Sequence, residues 1–313
     1  MSLKIRKHYF EKLTRKFKGK KISPLMHEIK IPENLFQKLK FSVVNYISKG
    51  FNDNETIINE NQIIKKLIKN KSKLKNITPN GIIVPKNHTS LEFNSVLKTY
   101  VEILQYFNLE NLIQNFHFPP NLRIKFPEIK KNHLSRNHPT ELMHSDTWTG
   151  ANPNWCAVHI FLLGDINKNH IRYASPPKNF TENWLKPLKY SRDGIEISKK
   201  FDLINYTPKK GYMIVADATI IHQSFRKKNS GLRVSLDTGF DLKMNKLKSF
   251  KKSKIGKFDV KKIRNKETVK KNDFIQIGNK TFFYFPDDLQ NKVFHKGGFK
   301  HPTNPKLIRL TNK

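Results

Sequence analysis

The residues best able to do chemistry lie close together at 141–150, in Glu-Leu-Met-His144-Ser145-Asp146-Thr-Trp148-Thr-Gly150. Side chains two positions apart in an extended segment point to the same side, so the His144 imidazole and the Asp146 carboxylate can close on one metal ion from a single edge of backbone. Among 12 histidines such a tripeptide also arises by chance, and a metal site needs a third ligand. His222, at the end of the β-rich run 212–221, is the candidate. Two imidazoles and one carboxylate on one face of a metal leave three positions open, an arrangement suited to non-haem Fe(II) and O2. Zinc accepts the same ligands, with water in an open position.

What separates iron from zinc is Arg233. The stretch 232–238 alternates strictly, with Leu232, Val234 and Leu236 on one face and Arg233, Ser235 and Asp237 on the other. Solvent at a sheet edge explains that pattern, and so does a barrel whose lumen holds a polar ligand. A guanidinium pointing inward is costly to bury without an anion. A dicarboxylate supplies one: its 2-oxo acid end chelates the metal, while its distal carboxylate takes the paired donors of Arg233 and the hydroxyl of Ser235.

His144-x-Asp146, His222 and Arg233-x-Ser235, with Gly211 ahead of the strand that leads to the second histidine, resemble the 2-oxoglutarate and Fe(II)-dependent dioxygenases. Within these, His-Ser-Asp-Thr-Trp-Thr-Gly, Gly-Tyr-Met-Ile-Val-Ala-Asp-Ala-Thr-Ile-Ile-His-Gln-Ser and Leu-Arg-Val-Ser-Leu-Asp-Thr are most similar to the phytanoyl-CoA hydroxylase-like and streptomycin-biosynthesis-type oxygenases. The resemblance covers about 120–243. It implies a double-stranded β-helix (jelly roll, cupin-like) core in an α+β, mainly β, chain. It also implies Fe(II) held by His144, Asp146 and His222, and 2-oxoglutarate held by Arg233 and Ser235. O2 is the further co-substrate, and a C–H of a small molecule is hydroxylated as succinate and CO2 leave. Arg123, on the strand before the motif, is the expected second anchor of the co-substrate, against a plain surface arginine.

The elements that must position these residues change character along the chain. Residues 1–30 read as basic and irregular. Leu35, Leu39, Val43, Tyr46 and Ile47 recur at helical spacing up to Gly50. A second helical run spans 55–68, and a third runs from Thr89, a candidate cap, towards Ile113. From about 121 the period is that of strands: 122–126, a nearly continuous apolar strand at 155–163 buried on both faces, 171–174, 212–222 and 232–238. A polar excursion at 178–205, with Trp184, Lys186, Lys189 and Arg192, has the character of a lid or binding loop. The expected organisation is a dioxygenase domain over 1–243, with a helical supporting layer at 1–117 and the core at 118–243. A Lys-rich linker, a hairpin around Gly278-Asn279 and a tail follow at 244–313.

The net charge of +35 is compatible with nucleic acid or an anionic surface. Lysine outnumbers arginine about five to one, however, and Asn, Ile and Phe are abundant, as an AT-rich genome produces without selection for polyanions. No specific nucleic-acid partner is expected. A basic polyanion-binding protein on the same scaffold is the alternative outside enzymology, and a zinc hydrolase the alternative within it. A single cysteine, Cys156, excludes an intrachain disulfide and fits a reducing compartment. With no apolar leader and no transmembrane-length run, a cytoplasmic protein is expected. His159 reads as a hydrogen-bonded core histidine, Trp148 and Trp155 as pocket or core residues, and Asp217 as an acceptor for His222 or a turn residue. His133, His138 and His170 read as loop residues.

Overall fold

The computed structural model describes residues 2–242, apart from 18, 52–58, 75–76, 79, 84–88, 108, 110–112, 118–119, 129–133 and 152, and beyond them only three short strands. In chain order the elements are α1 (Leu3–Phe17), β1 (Lys20–Ser23), β2 (Met26–Lys30), α2 (Glu33–Lys49), α3 (Glu60–Lys69), α4 (Ser90–Tyr106), β3 (Ile113–His117), β4 (Asn121–Lys125), β5 (Trp155–Gly164), β6 (Asn169–Ser175), α5 (Ile195–Ser198), β7 (Asp202–Leu203), β8 (Tyr212–Asp217), β9 (Ile221–Arg226) and β10 (Arg233–Leu242). The strands beyond 242 are β11 (Lys257–Asp259), β12 (Ile275–Ile277) and β13 (Lys280–Phe282). The last two pair antiparallel, as the hairpin reading requires.

All strand pairing is antiparallel and falls mainly into two sheets. The larger runs β1-β2-β8-β5-β10-β3-β11, with β4 also on β10, and the smaller runs β7-β6-β9. β5 is buried along nine of its ten residues, as its unbroken apolar run anticipates, because helices cover one face and the second sheet the other. Leu122, Ile124, Ile160, Val234 and Leu236 share one face by register and join a core with Leu39, Val43 and Ile47 of α2 and Val96, Tyr100 and Leu104 of α4. The opposite face carries Arg123, His159, Ser235 and Asp237. It looks towards the small sheet, where the Tyr173 hydroxyl of β6 meets His159 Nδ1 at 3.1 Å.

Within the first thirty residues a helix and two strands form, contrary to the irregular segment expected. Helix α1 seats Arg6 and Phe10, and β1-β2 extend the large sheet beside β8. Helix α3 begins at Glu60, where Asn59 and Gln62 form a reciprocal capping box, rather than at 55; residues 52–58 lie outside those described. Thr89 stands at the start of α4 but does not cap it, because its hydroxyl bonds the buried Tyr46 phenol. The run 212–222 is two strands in different sheets, so His222 lies near the start of β9 rather than at the end of β8. Residues 178–205 fold into short helical turns, α5 and β7, which packs on the edge of the small sheet.

The two sheets are joined at one edge by a buried ionic cluster. Lys125 bonds Thr140 and lies 3.1 Å from Glu141, whose Oε1 also accepts from Arg226 of β9 at 3.3 Å. Burial pushes the Glu141 carboxyl up, but Lys125 and Arg226 outweigh it and hold it at about 2, below the ordinary 4.5. The folded state therefore binds this proton less tightly than the unfolded chain, and the associated stability is present above pH 4.5 and lost as pH falls towards 2. Urea midpoints measured from pH 5 down to 2 are expected to fall across that window. The Glu141→Gln protein is expected to start lower and fall less.

Candidate metal centre

The motif at 144–150 combines a bridge and a turn. His144 and His222 exchange backbone hydrogen bonds of 3.0 and 2.8 Å, which places two imidazoles side by side with ring centroids 4.6 Å apart. After Ser145, in extended conformation, the chain enters a 3-10 turn at Asp146–Thr149, closed by Gly150 at φ 101°, a left-handed conformation that favours glycine. Ser145 accepts from the Thr147 N–H and donates to the Ala218 carbonyl at 2.9 Å, tying the motif to the turn between β8 and β9. The result is a cluster in which one ligand atom each from His144, Asp146 and His222 lies within 4.8 Å of the others. It is the one group of three or more such donors among the described residues.

The donor atoms of this cluster could hold a cation. His144 Nδ1 sits 2.7 Å from the Leu142 carbonyl, which can only accept, so Nδ1 carries the proton and Nε2 keeps its lone pair. Burial and the neighbouring His222 lower the His144 pKa to about 4, keeping the ring neutral near pH 7. Burial alone would raise the Asp146 carboxyl, yet His222, His144 and the Trp155 indole together hold it below its ordinary value. Trp155 Nε1 donates to Asp146 Oδ2 at 2.8 Å, leaving Oδ1 3.7 Å from His222 Nε2. The sequence marks Trp155 only as a pocket or core residue. Its Asp146 contact arises because β5 starts beneath the turn. If the cluster binds metal, Trp155→Phe is expected to weaken Co(II) binding about 10–100-fold, the usual cost of losing such a supporting bond, read by visible-spectrum titration.

Deeper on the same interior face, the polar residues of β10 have separate fates. Arg233 is fully buried, and its Nε, Nη1 and Nη2 have no hydrogen-bond partner. Its charge lies 5.3 Å from the Phe161 ring centre, and burial lowers its pKa to about 10 in spite of nearby Asp237. Ser235 gives its proton to Asp237 Oδ1 at 2.7 Å, so in this arrangement it has none to donate to a second carboxylate. Arg123, read from sequence as an anchor or a surface residue, is buried. Its Nε donates to Asp237 Oδ2 at 2.6 Å and its Nη1 to the Asn80 carbonyl at 2.9 Å.

His159 is a buried, hydrogen-bonded histidine, but it borders the cluster, with its ring 5.1 Å from that of His222. Asp217 serves a turn and not His222: Oδ1 accepts from the Thr219 N–H and hydroxyl, and Arg6 approaches the same carboxylate. Trp148 is fully packed, its indole N–H on the Trp184 carbonyl. His170 is a buried strand residue rather than a loop residue, His138 bonds Ser191, and His133 lies outside the described residues. Cys156 is buried and free of any disulfide.

No family model and no curated protein matches the sequence. Among solved structures, SnoN, a non-heme alpha ketoglutarate dependent epimerase from nogalamycin biosynthesis, is 9% identical, with 74% of this chain and 82% of that chain covered and a TM-score of 0.40. AviO1 from Streptomyces viridochromogenes Tue57 is 12% identical over 74% of this chain and 94% of that chain, with a TM-score of 0.41. EctD from S. alaskensis, solved with 2-oxoglutarate and 5-hydroxyectoine, is 12% identical over 69% and 71%, with a TM-score of 0.35. Likenesses of this size leave the assignment to the residues themselves. No helix among the described residues is long and apolar enough to cross a membrane.

Proposed function

We propose that the chain is an Fe(II)- and 2-oxoglutarate-dependent oxygenase whose two antiparallel sheets form a double-stranded β-helix, acting on a C–H of a small molecule. The observation that carries this reading is Arg233. A guanidinium with no solvent and no hydrogen-bond partner is among the most costly groups a core can hold, and a carboxylate entering beside it relieves that cost. Arg233, His222 and Asp146 all lie near enough to His159 to act on its charge, which supports one dicarboxylate serving both ends. A zinc hydrolase with the same ligands has no use for it.

The donor set fits the metal. Two imidazoles, that of His144 held neutral, and one ionised carboxylate match a 2-His-1-carboxylate site, and three ligands leave room for a chelating acid and O2. Bound there, the iron supplies activation of O2 coupled to conversion of 2-oxoglutarate into succinate and CO2, with one oxygen atom delivered to the substrate C–H. The chain's own residues do the rest. His144 Nε2, Asp146 and His222 hold the metal, the Leu142 carbonyl fixes the His144 tautomer, and the Trp155 indole orients the carboxylate. Arg233 takes the distal carboxylate, while Ser235 and Arg123 act through Asp237, whose two oxygens they occupy. The buried setting excludes water that would compete with the co-substrate. The segment 178–205 meets the motif turn where Trp184 and Leu188 bond Trp148, and its exposed Lys186, Lys189 and Arg192 favour an anionic substrate, while the family resemblance favours a small or sugar-like one.

Oxygen consumption and succinate release test this reading. Both are expected only when Fe(II) and 2-oxoglutarate are present together, and to be slow without the small-molecule substrate. Turnover that needs zinc and ignores 2-oxoglutarate supports the hydrolase instead. Tight polyanion binding that weakens steeply with salt, without any metal requirement, supports the basic interaction protein.

A further inference from the structure

Arg6 lies far from the motif in sequence, and nothing in its surroundings there suggests a role. In the structure it is fully buried and reaches three separate segments. Nη1 donates to the Pro153 carbonyl at 2.7 Å and to Asp217 at 3.3 and 3.2 Å, and Nη2 donates to Glu182 Oε1 at 3.0 Å. Asp217 is itself almost fully buried and Glu182 about one-third exposed, so the arginine is held by one inner and one outer carboxylate. Helix α1 can place it there because Phe10, one turn further along, is buried against His27 of β2, with ring centroids 4.8 Å apart.

Each segment that Arg6 holds is one step from the metal cluster. Pro153 is two residues before Trp155, whose indole donates to Asp146. Glu182 opens the turn that contains Trp184, whose carbonyl accepts from Trp148 in the Asp146–Thr149 turn. Asp217 fixes the turn 217–220, where the Ala218 carbonyl accepts from Ser145 and from which the chain enters β9 and His222. We infer that Arg6 is a positioning residue for the metal ligands, through which α1 completes the centre formed by His144, Asp146 and His222. This rests on the metal-binding reading above. It assigns α1 a part in the site and not only in covering the sheet.

Co(II) titration of the full chain, followed by its visible d–d spectrum together with circular dichroism and thermal melting, tests the inference. Arg6→Gln is expected to weaken Co(II) binding about tenfold or more and to change the band, while the circular dichroism stays that of the wild type. Arg6→Lys, which keeps a charge for Asp217, is expected to recover part of both. Glu182→Ala removes the outer arm at a partly exposed residue and is expected to weaken binding severalfold, so it decides the matter if Arg6→Gln does not fold. Wild-type affinity and spectrum in folded Arg6→Gln, or in Glu182→Ala when that variant has to decide, overturn the inference. His144→Ala separates the two levels. If it binds Co(II) as well as the wild type, the metal-binding reading fails and this one with it. If it loses binding while the Arg6 and Glu182 variants keep theirs, only the role of Arg6 fails.

Discussion

His144→Ala and Asp146→Ala are each expected to reduce Fe(II)-dependent succinate formation to background, a loss of at least about 100-fold in metal affinity alone, beyond what supporting residues cost. The two fail for different reasons. His144 is a neutral donor whose Nε2 is freed by the Leu142 carbonyl, so its loss removes one strong bond and leaves the charge unchanged. Asp146 is the one carboxylate of the cluster, so its loss leaves two imidazoles facing a divalent cation. Each substitution also removes one hydrogen bond from the fold, Asp146→Ala that from the Trp155 indole and His144→Ala that to the Leu142 carbonyl. Undiminished succinate formation in both variants contradicts the assignment.

Arg233→Met is expected to act in two opposite directions. In the apo protein it removes a buried charge that makes no hydrogen bond and replaces it with an apolar side chain of similar length, which should raise stability, by an amount of order 1–4 kcal/mol if it behaves as other buried-charge replacements do. Affinity for 2-oxoglutarate should fall by roughly 100-fold or more, since a carboxylate left in the same interior without its cation loses about 3–5 kcal/mol. Metal binding should change little, because Arg233 makes no hydrogen bond to any ligand. A protein that melts higher, binds Co(II) normally and no longer responds to 2-oxoglutarate is a pattern that general damage does not produce. An unchanged 2-oxoglutarate dissociation constant removes Arg233 from the co-substrate site.

The parts of the fold and site that were legible in sequence are those set by local periodicity. The spacing of Leu35, Leu39, Val43, Tyr46 and Ile47 marks α2, and the run from Trp155 to Leu163 marks β5, because burial on one or two faces imposes those patterns directly. Arg233 stood out because one charged residue in a strictly alternating strand must face either solvent or an interior, and β10 is a central strand. What stayed hidden depends on tertiary pairing. The run 212–222 is apolar apart from Asp217, Thr219 and His222, and Asp217 reads equally well as a turn residue or as an acceptor for His222, so the change of sheet there is not fixed by composition. Ser235 shares a face with Arg233, but its proton goes to Asp237, a competition that only geometry reveals. Arg6 interrupts the apolar pattern of α1, which makes the segment read as irregular, and the residue that hides the helix is itself fully buried.

The central claim is that one interior holds both a metal at His144, Asp146 and His222 and a dicarboxylate at Arg233. Anaerobic addition of Fe(II) and then 2-oxoglutarate, followed in the visible range, tests it most directly, since chelation of the 2-oxo acid to Fe(II) gives a weak charge-transfer band without turnover. Wild-type protein is expected to develop the band, His144→Ala to show none, and Arg233→Met to require roughly 100-fold more 2-oxoglutarate. Wild-type protein that shows no band with both components in excess, or that shows the same titration after Arg233→Met, contradicts the account.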